Sequence, residues 1–174
     1  MRLRRYDEVK PSKPQRRTFD CGNDGLNNWL ATQARQSMDS RDAVTYLLTD
    51  EDSGDAIVGY FCLSAGDVAK ETLPLSLSSG APNPAPVVRM GRFAVDRRYQ
   101  GKGWAADLLR EALLRSAAAS ELIGGRAMLV DAIDDNAKMF YRRFGFEQSP
   151  IHERQLLIDL RTVDLSAKFT REAS

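Results

Sequence analysis

The run Arg98-Tyr99-Gln100-Gly101-Lys102-Gly103-Trp104-Ala105 sets two glycines ahead of a long, apolar-periodic segment. Main-chain N–H groups without side-chain cover therefore point into the start of a helix. Unpaired amides and the positive end of a helix dipole attract anions, and the glycines let an oxygen approach the backbone. Arg98 and Lys102 add positive charge. The same residues equally describe an ordinary strand-to-helix turn. A Walker A loop, GxxxxGK[ST], is absent. Gly101, Gly103 and Ala106 satisfy GxGxxA, but residues 96–100 separate them from the preceding strand-like run, whereas a dinucleotide fold turns almost at once.

Other chemistries have few residues to draw on. One histidine and two cysteines, Cys21 and Cys62, without a CxxC pair, are too few for a zinc site, so no metal is expected. No serine or cysteine has a partnered base for a covalent intermediate. His152, flanked by Pro150 and Glu153, reads as a surface loop residue. Composition (174 residues, 43% hydrophobic, 28% charged) suits one compact domain, with no apolar run near the roughly 20 residues that span a bilayer. The charged start lacks a signal-peptide core, which makes the cytoplasm the default location. Net charge is +1, yet residues 1–20 hold Arg2, Arg4, Arg5, Lys10, Lys13, Arg16 and Arg17 against Asp7, Glu8 and Asp20. A second basic stretch, 86–115, includes Arg89 and Arg92. Such segments either attract phosphate or form a solvated, sign-mixed surface.

The elements that must position these residues follow from periodicity. Phe19 to Ala34 reads as a helix entered through Asn23-Asp24. Ala43–Thr49 and Ala56–Ala65 read as a hairpin around the acidic DEDSGD turn. Residues 70–86, rich in proline and serine, suggest an exposed loop, either lid or connector. Val87–Val95 is a strand whose Gly91 permits a bulge, followed from Gly103 by a long helix. Arg126–Ile133 is a buried strand, Asp134 or Asp135 caps a short helix through Arg143, and Gly145 suits a left-handed C′ position. Phe146 resumes a strand, and Leu156–Leu160 supplies the last one. This order implies an α/β (α+β) fold, a mixed sheet with helices on both faces. One domain over 1–165 is expected, with a polar tail over 166–174.

Arg98-x-x-Gly101-x-Gly103 resembles the acetyl-CoA loop of the GNAT superfamily of N-acetyltransferases. Asn136-Ala137-Lys138-Met139-Phe140-Tyr141-Arg142-Arg143-Phe144-Gly145-Phe146 is similar to that family's N-A-x-x-x-Y-x-x-x-G-F segment. More narrowly, FDCGNDGLNNWL, GRFAVDRRYQGKG and DDNAKMFYRRFGF resemble the bacterial TacT-type toxin branch, whose members acetylate the amino group of aminoacyl-tRNA. Trp104-Ala105 departs from that branch, which more often has a small aliphatic residue and glycine.

The resemblance implies a mostly antiparallel central sheet and acetyl-CoA as acetyl donor. Its pantetheine arm would lie along Phe93, Ala94 and Val95, its pyrophosphate on the amides of Gln100, Gly101, Lys102, Gly103, Trp104 and Ala105, with Arg98 adding charge. Asn136 would contact the pantetheine amide, unless it caps its helix, and a backbone N–H near Val95 would stabilise the oxyanion. Tyr141 would protonate the departing thiolate as general acid, unless it is core packing. The strand VVRMGRFAV lacks the carboxylate that lysine-modifying relatives use. Arg89 and Arg92 stand there instead, favouring a phosphate-bearing acceptor or else pairing with the acidic hairpin turn. Arg35, Arg41, Arg142 and Arg143 are weaker tRNA candidates. A ribbon-helix-helix antitoxin is the implied partner, and family analogy allows a homodimer through Trp29 or the proline-rich segment. A small amine or a protein N-terminus is the alternative acceptor, and a non-catalytic binding module the alternative class.

Overall fold

The computed structural model describes residues 1–166. Apart from Ser166, the polar tail lies outside them. Seven strands form one sheet in the order β1-β2-β3-β4-β5-β7-β6: β1 (Arg2–Arg5), β2 (Val44–Asp50), β3 (Ala56–Val68), β4 (Ala85–Val95), β5 (Ala127–Asp131), β6 (Glu147–Gln148) and β7 (Gln155–Asp159). Pairs β1–β2, β2–β3, β5–β7 and β6–β7 are antiparallel, and β4–β5 is parallel. The helices are α1 (Tyr6–Val9), α2 (Lys13–Thr18), α3 (Asp24–Thr32), α4 (Ala34–Asp39), α5 (Leu75–Ser78), α6 (Trp104–Ile123) and α7 (Asp135–Arg143).

The described residues divide into two compact units that share β3, β4 and α6. The first comprises Met1–Ser64 with Gly91–Arg110. Its core gathers Phe19, Trp29, Leu30, Leu47, Ile57 and Tyr60. Tyr60 stacks on Trp29 at 5.8 Å and meets the edge of Phe19 at 5.5 Å, while its hydroxyl donates to Leu26 O at 2.8 Å. The second comprises Ala65–Met90 and the described residues from Glu111 on. There Val68, Leu73, Leu77, Val87, Ala127, Leu129 and Leu157 form the core.

Three elements depart from the sequence reading. The helix expected over Phe19–Ala34 is instead α3 and α4, parted at Gln33 (φ −116°). Asn23 caps α3 as expected, its side chain accepting from Leu26 N, but residues 19–22 stay outside the helix, Gly22 taking a φ of 90° and Cys21 N donating to Asn27 Oδ1 at 2.9 Å. At the other end Thr32 Oγ1 donates back to Asn28 O at 2.7 Å, a competing bond that weakens continuation of the helix. The amino-terminal residues, read only for charge, build β1, α1 and α2. Ser12 and Gln15 form a capping box at the start of α2.

The third departure is the proline-rich segment, which is not an exposed loop. Thr72, Leu73, Leu77, Ala81 and Ala85 are buried there, and Lys70 N donates to Asn83 Oδ1 while Arg126 Nη2 donates to Gly80 O. Leu73, Leu77, Ala81 and Ala85, spaced between the prolines, face the core. Leu77→Ala is expected to cost about 2–5 kcal/mol by opening a cavity beside Ala127 and Leu129. Urea unfolding of the variant, against Leu75→Ala at an exposed neighbour, checks this.

Candidate active site

The cofactor-loop residues come together in the first unit. β4 ends at Val95, a turn of 3-10 helix covers Arg97–Tyr99, and α6 begins at Trp104. Gly101 and Gly103 both have left-handed φ, 72° and 84°, which a side chain would strain. A Cβ at Gly101 would meet nothing within 4 Å, so the space over the loop is open to a ligand. α6 starts directly after that loop, and the start of a helix favours an anion. This geometry fits a pyrophosphate held by Gly101, Lys102, Gly103, Trp104 and Ala105. The amide of Gln100 is less available, because it donates to Arg97 O at 3.4 Å.

The loop is fixed by a residue that the sequence reading passed over. Asp96 is 1% exposed and accepts from Asp20 N (3.0 Å), Arg98 N (2.9 Å), Arg98 Nε (2.9 Å) and Arg98 Nη2 (3.0 Å). Its own N–H donates to Val58 O at 2.8 Å. Burial pushes the carboxyl pKa up, but the Arg98 guanidinium and these amides outweigh it and hold it below the usual range. Arg98 is therefore a clamp on Asp96 and not a projecting charge. Gln100 braces the loop through Nε2, donating to Val95 O (2.8 Å) and Cys21 O (3.1 Å). Lys102 Nζ folds back to Arg98 O at 3.1 Å, and Tyr99 donates to Asp50 Oδ2 at 3.1 Å. The available signal was an aspartate at the end of the strand run, two residues before an arginine.

β4 carries the remaining loop-side candidates. Its ladder with β5 runs from Val87↔Ala127 to Met90↔Val130, and β4 continues past that end to Val95. Gly91 and Arg92 are exposed in succession, which breaks the alternation expected of a regular strand. A Cβ on Gly91 would lie 3.6 Å from Cys62 Sγ, ordinary contact, so sterics alone do not require glycine there. Ala94 and Val95 are buried and Phe93 is half-buried. Arg92 lies over the Trp29 ring, 5.3 Å from its centroid, and donates to Gly91 O. Trp29 is thus a buried support beneath Arg92.

The second unit holds Asn136, Tyr141 and Arg89. Asp134 Oδ1 accepts from Ala137 N at 2.8 Å and is the cap of α7, so Asn136, exposed in the first turn, is not the capping residue. Tyr141 is 6% exposed, with Phe140 and Phe146 rings each at 5.4 Å. Burial first, and then the negative charge of Asp131, push its phenol well above the usual value, so it stays protonated across the neutral range. Gly145 takes the left-handed φ of 95° expected of it. Arg89 pairs with Asp131 on β5 at 3.3 Å, not with the acidic hairpin turn; that turn engages Arg2 through Glu51 and Arg4 through Asp55. Asp131, a second residue the sequence reading missed, supplies a carboxylate from β5. His152 lies exposed in the loop before β7.

Among the described residues no three His, Cys, Asp or Glu side chains gather as a metal site, and no helix is long and apolar enough to cross a membrane. Residues 41–148 match the acetyltransferase (GNAT) domain. A tRNA-acetylating toxin of Mycobacterium tuberculosis is 41% identical over 110 residues, 62% of this chain and 66% of the toxin, just under two thirds of its length. The crystal structure of a tyrosine-to-phenylalanine variant of KacT superposes with a TM-score of 0.84 at 27% identity, over 92% of this chain and 95% of KacT. AtaT complexed with acetyl-methionyl-tRNAfMet does so with a TM-score of 0.83 at 27% identity, over the same shares. The glycine loop, the continuation of β4 beyond its ladder and the match over more than half of the sequence lead to one assignment: the chain belongs to the acetyltransferase (GNAT) domain family.

Proposed function

We propose that this protein is an acetyl-CoA-dependent N-acetyltransferase that acetylates the amino group of aminoacyl-tRNA and so blocks translation, as the toxin of a toxin-antitoxin pair. The observation that carries this reading is the likeness to the tRNA-acetylating toxin, joined to the loop that Asp96 fixes ahead of α6. Acetyl-CoA, when bound, supplies the thioester carbonyl that an amine attacks. Phe93, Ala94 and Val95 would line the pantetheine arm, the amides from Gly101 to Ala105 would hold the pyrophosphate, and Asn136 would contact the pantetheine amide, as the family resemblance implies. A main-chain N–H near Val95 stabilises the oxygen that becomes negative.

Attack is direct. The amine's N–C bond would form as the C–S bond breaks, Tyr141 Oη would give its proton to the departing sulfur, and the proton that the new amide nitrogen sheds to water would be matched by one that Tyr141 takes back from water. An α-amine of pKa near 8, lowered by the adjacent ester, needs little help to lose its own proton. Arg92, exposed on the Trp29 face, and Arg89 attract the tRNA backbone. An antitoxin of the ribbon-helix-helix type is the partner that this reading calls for.

The test is transfer of labelled acetyl to a bulk charged-tRNA pool beside a deacylated pool. Label on charged tRNA alone supports the reading, and label on neither pool despite acetyl-CoA binding removes it. Arg92→Ala is expected to lower kcat/KM for charged tRNA about tenfold while leaving the KM for acetyl-CoA unchanged, as loss of one phosphate contact predicts. The second reading, a small amine or protein N-terminus, draws on Asp131, whose carboxylate beside Arg89 would attract an ammonium group. It predicts transfer without tRNA and indifference to Arg92→Ala.

A further inference from the structure

A cavity of about 350 Å³ opens in the first unit among α1, α2 and α4, and Lys10, Arg16 and Arg35 line it. Two carboxylates, Asp7 and Asp39, also line it and offset this charge in part. Asp7 is held by both oxygens on Arg5 at 3.0 Å, and Asp39 faces Arg35 only at 3.8 Å, beyond hydrogen-bond length.

The buried wall is more telling than the exposed cations. Arg16 Nη1 donates to Ala31 O at 2.7 Å, which fixes the guanidinium, yet its Nε is buried and meets no acceptor among the described residues. Buried donors without acceptors are uncommon in native proteins and call for an explanation. Tyr6, only 4% exposed, brings its ring to the same cavity. Arg16, hydrogen-bonded to Ala31 O and to the Tyr6 phenol but with its Nε–H unmet, and two further cations at the opening form a donor set that suits a phosphate's several oxygens. Ala31, whose carbonyl holds Arg16, and Trp29, which lies under Arg92, belong to the same helix α3.

We infer that this cavity binds a phosphate group and, resting on the tRNA reading above, that the group is a backbone phosphodiester of the RNA substrate crossing α3 and α4. The shared chemistry also admits a small phosphorylated molecule, and two arms of one experiment distinguish the sources. In the first, inorganic phosphate is titrated into the full-length 15N-labelled protein while the arginine Nε–H resonances are followed. Arg16 Nε–H is expected to shift saturably, and Arg35→Ala, an exposed change that leaves the core intact, to weaken that titration severalfold. In the second, binding of bulk tRNA is measured against salt for wild type and Arg35→Ala, and the variant's log–log slope is expected to be smaller by about one.

An unmoved Arg16 resonance overturns the proposal. A phosphate response with an unchanged tRNA salt slope overturns the RNA assignment and leaves a small phosphorylated ligand. If the wild type acetylates no charged tRNA, the function proposed above falls, while the phosphate arm still decides the cavity.

Discussion

Tyr141→Phe is expected to lower kcat for acetyl transfer about 10²- to 10³-fold, the range over which a positioned general acid acts. The ring remains among Phe140 and Phe146, so the fold and acetyl-CoA binding should persist. The pH profile distinguishes proton delivery from packing. Burial and Asp131 raise the phenol's pKa, so the wild-type enzyme should show no loss of activity from Tyr141 ionisation between pH 7 and about 10, while transfer by the variant stays low throughout. Single-turnover rates with saturating acetyl-CoA, measured across that range, check it. A variant within threefold of wild type would remove Tyr141 from proton transfer and leave it a core residue.

Asp96→Asn is expected to cost about 2–3 kcal/mol and to raise the KM for acetyl-CoA about tenfold. The carboxylate receives four N–H donors, and an amide in its place turns its own NH2 toward some of them, leaving buried donors unmet. The loss falls on the end of β4 and on the glycine loop together, because Asp96 joins both to the segment before α3. Arg98→Ala should cost less, since that side chain is 56% exposed and the two amides keep their acceptor. Because Asp96 titrates below its unfolded value of about 3.9, its contribution is fully present above that pH and disappears as the pH falls through the folded value. The stability gap between wild type and Asp96→Asn should therefore be level from pH 6 to 8 and shrink below pH 4. Urea midpoints at several pH values measure it, and a gap that widened on acidification would refute the assignment.

Local patterns in the chain were enough for the elements that carry the chemistry. Gly101 and Gly103 before the period of α6, Asn23 ahead of α3, and Gly145 after α7 are each set by backbone rules that act over a few residues, and each stands where those rules put it. The same spacing sufficed for family membership, because paired glycines ahead of a helix and the N-A-x-x-x-Y-x-x-x-G-F pattern are short-range features. Tertiary structure decided what those residues touch. Arg98 and Lys102 read as free charges until the fold turned them back on Asp96 and on the loop carbonyl. Arg89 met Asp131 because β4 and β5 pair in parallel, a register no local pattern contains. The prolines of residues 70–86 concealed leucines whose burial depends on β5 and β7, far along the chain. Hydrogen bonds and ion pairs between distant segments follow from register and packing, and these arise only when the whole apolar surface is buried at once.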